Sequence, residues 1–143
     1  MADTLHDSPI RATPGRVFEA VTTPAGLDSW WTRRSAGQPV PGAEYELWFG
    51  PEHDWRAKVT RSIAAAEFEI ELVRADADWT GTRVGFRLEE QAGGTRVRFH
   101  HAGWPSVNDH YRTSCYCWAM YLRILRRYLE HGDRVPYEDR LDA

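Results

Sequence analysis

Between residues 44 and 101 the chain alternates apolar and polar residues with a period of two, the mark of half-buried antiparallel strands. The segment 44–49 places Tyr45, Leu47 and Phe49 on one face, and 55–61 places Trp55, Ala57 and Val59 there. In 67–73 the alternation puts Phe68, Ile70 and Leu72 inward and Glu67, Glu69 and Glu71 outward. Segment 82–89 turns Val84, Phe86 and Leu88 inward. Gly93 and Gly94 then supply the positive-φ residues of a hairpin, and 95–101 brings Val97, Phe99 and His101 to the same side. Arg83, Arg87, Arg96 and Arg98 point outward with the glutamates, which predicts cross-strand ion pairs on a wet face, each worth about 0.2–1 kcal/mol.

The periodicity changes on either side of these strands. A strand ends at Ile10, and Thr13-Pro14 and Thr23-Pro24 each start a short helix, because threonine caps through its hydroxyl and proline at the first helical position gives up no needed donor. The second helix leads into Trp30-Trp31, and residues 37–42, with Pro39 and Pro41, read as a loop. The last long element is a helix from about Ser106 or Val107 to His131, ended by Gly132. Tyr111, Cys115, Trp118, Leu122, Leu125 and Leu129 form its apolar stripe, widened by Cys117, Tyr121, Ile124 and Tyr128. Arg123, Arg126 and Arg127 complement the dipole near its C-terminal end. The tail beyond Gly132 reads as irregular. The order predicts a single α+β domain, residues 1–143, in which a curved antiparallel sheet of about six strands packs on one long helix.

Composition excludes more than it suggests. A formal charge of −3 offers no general attraction to nucleic acid or an anionic membrane. No signal-like or membrane-spanning apolar run occurs, and Cys115 and Cys117 at i, i+2 point apart on a helix, so a reduced, cytoplasmic setting is expected. An aromatic content of 13% is the one departure from an ordinary composition, and aromatic side chains fill cores or line apolar pockets.

Residues 12–18 (Ala-Thr-Pro through Val17-Phe18), Thr23-Pro24 through Leu27, and Trp30-Trp31 resemble the helix-grip superfamily of birch pollen allergen-like and lipid-transfer START-like domains. Within it, His101-Ala102-Gly103-Trp104-Pro105, followed by Trp118, Leu122, Leu125 and Tyr128-Leu129-Glu130, is similar to the group named after the C-terminal domain of the activator of heat-shock protein 90 ATPase. The resemblance implies the helix-grip fold over nearly the whole chain. It leaves the activity open, because the superfamily includes ligand carriers, cyclases and hydrolases. In the activator proteins this domain follows another that does much of the partner binding; no such segment precedes it here, which makes a chaperone the less expected partner.

Candidate chemistry is sparse. His101, inward by strand parity, and Tyr111 are the side chains placed to carry a proton or orient a polar group in the interior, an imidazole having an ordinary pKa of about 6.5. Cys115 lies near enough in this scheme to pair with His101, or to serve as a small buried apolar group. His100 and His101 face opposite sides of a strand, and neither they, with Asp109 and His110, nor His53, with Glu52 and Asp54, have metal-ligand spacing, so no metal is expected. No nucleophile elbow, phosphate loop or dinucleotide fingerprint is present, so no catalytic residue and no cofactor are assigned. The better-supported site is a pocket of about 300–1,000 Å³ lined by Trp31, Tyr45, Trp55, Phe68, Ile70, Phe86, Phe99, His101, Tyr111, Cys115 and Trp118. It suits a small hydrophobic or aromatic molecule bound by a monomer or homodimer, although the same aromatics are equally able to fill the space themselves. A cyclase or hydrolase using His101 or Tyr111 and a co-chaperone-like interaction module are the alternatives.

Overall fold

The computed structural model describes residues 1–143. Seven strands form one antiparallel sheet: β1 (Ala2–Ile10), β2 (Arg34–Ala36), β3 (Glu44–Trp48), β4 (Asp54–Ile63), β5 (Glu67–Arg74), β6 (Arg83–Gln91) and β7 (Gly94–Trp104). Their order across the sheet is β1-β7-β6-β5-β4-β3-β2, so the first strand closes beside the last. Helices α1 (Pro14–Thr22) and α2 (Pro24–Trp30) follow β1, and α3 (Asp109–His131) packs against both and against β1. This is the expected helix-grip arrangement with one more strand. The extra strand, β2, pairs Arg34 with Trp48 and is only three residues long, too short to show an alternation.

Thr23 makes the corner between the two short helices. Its backbone N–H and its hydroxyl both donate to Glu19 O at the end of α1, while the same hydroxyl accepts from Gly26 N at 3.0 Å at the start of α2. Trp30 Nε1 donates back to Ala20 O at 2.9 Å. The helices approach so closely that a Cβ on Gly26 would stand 2.6 Å from Ala20 Cα and O. At the other end of the chain, Asn108 caps α3 by accepting from Tyr111 N, which starts the helix at Asp109 rather than at Ser106 or Val107.

Strand parity places the inward residues as expected, from Tyr45 and Leu47 through Ile70, Phe86 and Phe99 to His101, all buried. On the outer face Arg61 pairs with Glu67 at 2.7 Å, Arg96 with Asp7 at 2.9 Å and Arg98 with Glu89 at 3.5 Å. In the β6–β7 hairpin only Gly93 has positive φ. Gly94 opens β7, where a Cβ would lie 2.2 Å from Ile10 O. The tail is not irregular: Tyr137–Asp142 form a 3-10 helix that buries Arg140. Its guanidinium donates to Asp28 O and Thr32 O, satisfying carbonyls at the C-terminal end of α2, and to Val135 O in the tail.

Gly26→Ala should cost about 1–3 kcal/mol through overpacking at the α1–α2 corner. Gly15→Ala, where a Cβ meets nothing within 4 Å, should be neutral or stabilise by up to about 1 kcal/mol. Urea unfolding of the two variants checks this; equal midpoints would mean that the corner is not tight.

Candidate functional site

His101 is fully buried, and both of its ring nitrogens are used within the protein. Trp118 Nε1 of α3 donates to His101 Nδ1 at 3.0 Å. His101 Nε2 lies 2.8 Å from Thr82 Oγ1, and that hydroxyl donates its own proton to Trp79 O. Because Trp118 has only a proton to give and Thr82 has spent its own, the directions are forced: Nδ1 accepts and Nε2–H donates. A second ring proton would point Nδ1–H at the Trp118 N–H. Burial accordingly pushes the His101 pKa down to about 3, with a smaller contribution from the charges of His100 and His110. The expected proton carrier is therefore a neutral cross-link between helix and sheet.

Tyr111 does not join it. Its hydroxyl donates to Asp3 O at 2.7 Å at the exposed edge of β1, and its ring packs edge-on against Trp104. Cys115 faces the same edge, with its sulfur 3.1 Å from Thr4 Oγ1, so no Cys-His pair forms.

The space between Trp55, Phe99 and Trp118 is occupied. Trp79, carried by the 75–82 connection between β5 and β6, inserts there, with ring centroids 4.9 Å from Trp55, 5.7 Å from Trp118 and 4.5 Å from His101. With Trp31 and Phe49 it completes a closed circuit of five aromatic rings. The remaining steps are Trp118 to Trp31 at 5.2 Å, Trp31 to Phe49 at 5.5 Å and Phe49 to Trp55 at 4.8 Å. Phe99 and Phe86 extend the cluster toward Trp30. Phe49 and Trp55 are only partly buried, so the circuit has one edge toward solvent.

Of the predicted lining residues, the structure brings together Trp31, Trp55, Phe86, Phe99, His101 and Trp118. Tyr45 and Phe68 lie in a separate part of the core with Phe18, where Tyr45 donates to Thr22 O at 2.6 Å, and Ile70 pairs with Val59 and Val84 inside the sheet. The sequence reading missed Trp79, although a lone tryptophan in the polar stretch 74–81 was a usable signal. Concavities of about 720 Å³ and 570 Å³ open at the surface, the first on the outer face across β1, β6 and β7, the second where the β6–β7 hairpin meets the start of α1. Their lining includes none of the five ring residues.

The Trp79 connection is held from both sides. Asp78 accepts from Asn108 Nδ2 and pairs with His110 Nδ1, both at 3.1 Å, which joins it to the cap of α3, while Asp76 pairs with His53 at 3.3 Å. The two bonds to Asp78 hold its carboxyl below the ordinary range. His100 is likewise paired singly, with Glu69 at 2.7 Å, and no three His, Cys, Asp or Glu side chains converge.

This architecture has relatives. The family model of the Activator of Hsp90 ATPase homolog 1-like proteins matches residues 11–130. The chain belongs to that family. Among solved structures, this family member is similar to the Aha1 dimer from Colwellia psychrerythraea, with 30% identity over 93% of this chain and 99% of that one, and a TM-score of 0.84. CalU16 from Micromonospora echinospora shares the fold at 17% identity and a TM-score of 0.71, covering 98% and 83% of the respective chains. DynU16, a putative protein in the dynemicin biosynthetic locus, does so at 20% and 0.76, covering 92% of this chain and 48% of its own. No curated protein matches. No helix is long and apolar enough to cross a membrane.

The sign of the pH dependence follows from His101. Below about pH 6.5 the unfolded chain binds a proton that the native ring refuses down to about pH 3, so this part of the stability is complete above pH 6.5 and is lost as pH falls toward 3. The loss should reach roughly 3 kcal/mol by pH 4. Urea titrations at pH 7, 5.5 and 4 should show His101→Gln flattening that slope; parallel slopes would mean that the ring protonates in the fold.

Proposed function

We propose that this family member binds a small hydrophobic or aromatic molecule without transforming it, in the chamber under α3 that the five-ring circuit encloses. The observation that carries this reading is the composition of the circuit. Four of its rings sit on β3, β4, α2 and α3 or directly beside them, while the fifth, Trp79, rides on a connection whose backbone is tied by Thr82 Oγ1 donating to Trp79 O and whose flanking Asp76 and Asp78 make surface polar bonds, leaving the indole itself held by ring contacts alone. Withdrawal of that one side chain would open an apolar chamber between otherwise fixed walls, next to the partly exposed edge at Phe49 and Trp55. A flat apolar molecule would restore the ring contacts that Trp79 gives up, each worth about 0.5–1.5 kcal/mol beyond the area buried.

The chamber offers little for catalysis. His101 has no free nitrogen and Tyr111 points elsewhere, so neither side chain is placed to move a proton within it. That argues against the cyclase or hydrolase alternative. The relatives named for a biosynthetic locus or for Aha1 share the fold and leave the ligand open.

Thermal unfolding in the presence of naphthalene, flavone or palmitate tests the reading. A ligand at one hundred times its dissociation constant adds about 2.7 kcal/mol, which for a chain of this size raises Tm on the order of 10 °C. Phe49→Ala, which strips the solvent edge of the circuit, should weaken that ligand five- to tenfold by calorimetry. If none of the three compounds raises Tm, the proposal fails.

A further inference from the structure

Two indole N–H groups beside this chamber have no acceptor. Trp79 Nε1 and Trp104 Nε1 are both buried without a hydrogen-bond partner, on residues 8% and 0% exposed. Their rings lie 6.0 Å apart, and each packs on His101, at 4.5 Å and 4.9 Å. Trp30 and Trp118 show the ordinary outcome, donating to Ala20 O and His101 Nδ1. A buried donor left unpaired forfeits the hydrogen bond it makes to water when unfolded, so native interiors seldom leave one, and each of these two is a donor that a bound acceptor would satisfy.

Charge in the surroundings narrows what that acceptor is. His101 is neutral and has no proton to offer, because its one N–H is spent on Thr82. Arg140, the buried cation of the chain, donates to two backbone carbonyls at the end of α2, Asp28 O and Thr32 O, and to Val135 O in the tail. The ionisable groups on the Trp79 connection itself are Asp76 and Asp78, both carboxylates and both already paired with histidines. An anion entering here would lose its water and meet no free buried cation, Arg34 lying over Trp48 at the exposed rim. A cation would find aromatic faces, but it would leave both N–H groups without an acceptor.

We infer that the ligand of this chamber is a flat, uncharged molecule bearing a carbonyl-type oxygen, which accepts from Trp79 Nε1 with Trp104 Nε1 as the neighbouring donor. This rests on the ligand-binding reading above and adds the chemical class. Trp79 then has two roles: its ring fills the chamber in the free protein, and its N–H selects the ligand once the side chain has turned aside, its carbonyl staying on Thr82.

Three probes on one ring system separate the terms: 2-acetylnaphthalene is neutral with an acceptor, 2-ethylnaphthalene is neutral without one, and 2-naphthoate is an anion. Calorimetric titration of the whole chain should show the acetyl compound binding five- to tenfold more tightly than the ethyl compound, with naphthoate weaker than both. Trp79→Phe should erase the acetyl-to-ethyl difference. In the unmutated protein the Trp79 indole N–H resonance should move downfield with the acetyl compound alone, a readout that does not depend on the variant folding. Equal affinities for the acetyl and ethyl compounds, or tightest binding of naphthoate, would overturn the acceptor and leave the binding proposal standing. No binding by any of the three would overturn both.

Discussion

The chain of hydrogen bonds from Trp118 through His101 and Thr82 to the carbonyl of Trp79 joins the four parts of the molecule that surround its interior. Trp118 lies midway along α3, His101 near the end of β7, Thr82 immediately before β6, and Trp79 in the connection from β5. Each donor has one acceptor and each direction is forced by the groups at the two ends. A buried polar chain that is fully satisfied specifies one arrangement, whereas losing a member strands its neighbours without partners in a dry interior. Helix, sheet and connection are held in register by this chain, and the aromatic rings pack around it.

The same chain removes the interior's only histidine from acid–base chemistry. An imidazole in a cleft invites a catalytic reading, yet desolvation and two committed nitrogens keep this one neutral over the whole physiological range. What remains around it is aromatic surface and two indole donors. On the proposed ligand-binding reading, these groups would distinguish molecules by shape and by the position of an oxygen. In the proposed binding the Trp79 side chain is displaced first, so the apparent affinity is the intrinsic affinity scaled by the fraction of molecules in which that ring has turned aside.

Much of this was legible along the chain wherever the signal was local. Strand parity put His101, Phe99 and Phe86 on the inner face, the Thr-Pro pairs marked both short helices, and the stripe from Trp118 to Leu129 gave the buried side of α3. Three features were not legible for physical reasons. β2 is too short for a period to emerge, and the burial of Arg140 depends on carbonyls more than a hundred residues away in sequence. Trp79 enters the core from a polar connection, where periodicity carries no information. Parity also placed His101 correctly without revealing its partners. Thr82 and Trp118 come to it from different elements, and only tertiary pairing turns an inward histidine from a candidate proton carrier into a strut. Tyr111 and Cys115 share the helical stripe with Trp118 but lie farther toward its N-terminal end, where α3 has passed over the edge strand β1.

The most direct test of this account is the protonation of His101 itself, read from its ring nitrogen resonances in nitrogen-15-labelled protein as pH is lowered from 8 to 4.5. A proton fixed on Nε2, an unprotonated Nδ1 that accepts from Trp118, and no titration across that range are expected. A midpoint near the ordinary imidazole value of about 6.5, or a proton resident on Nδ1, would contradict it.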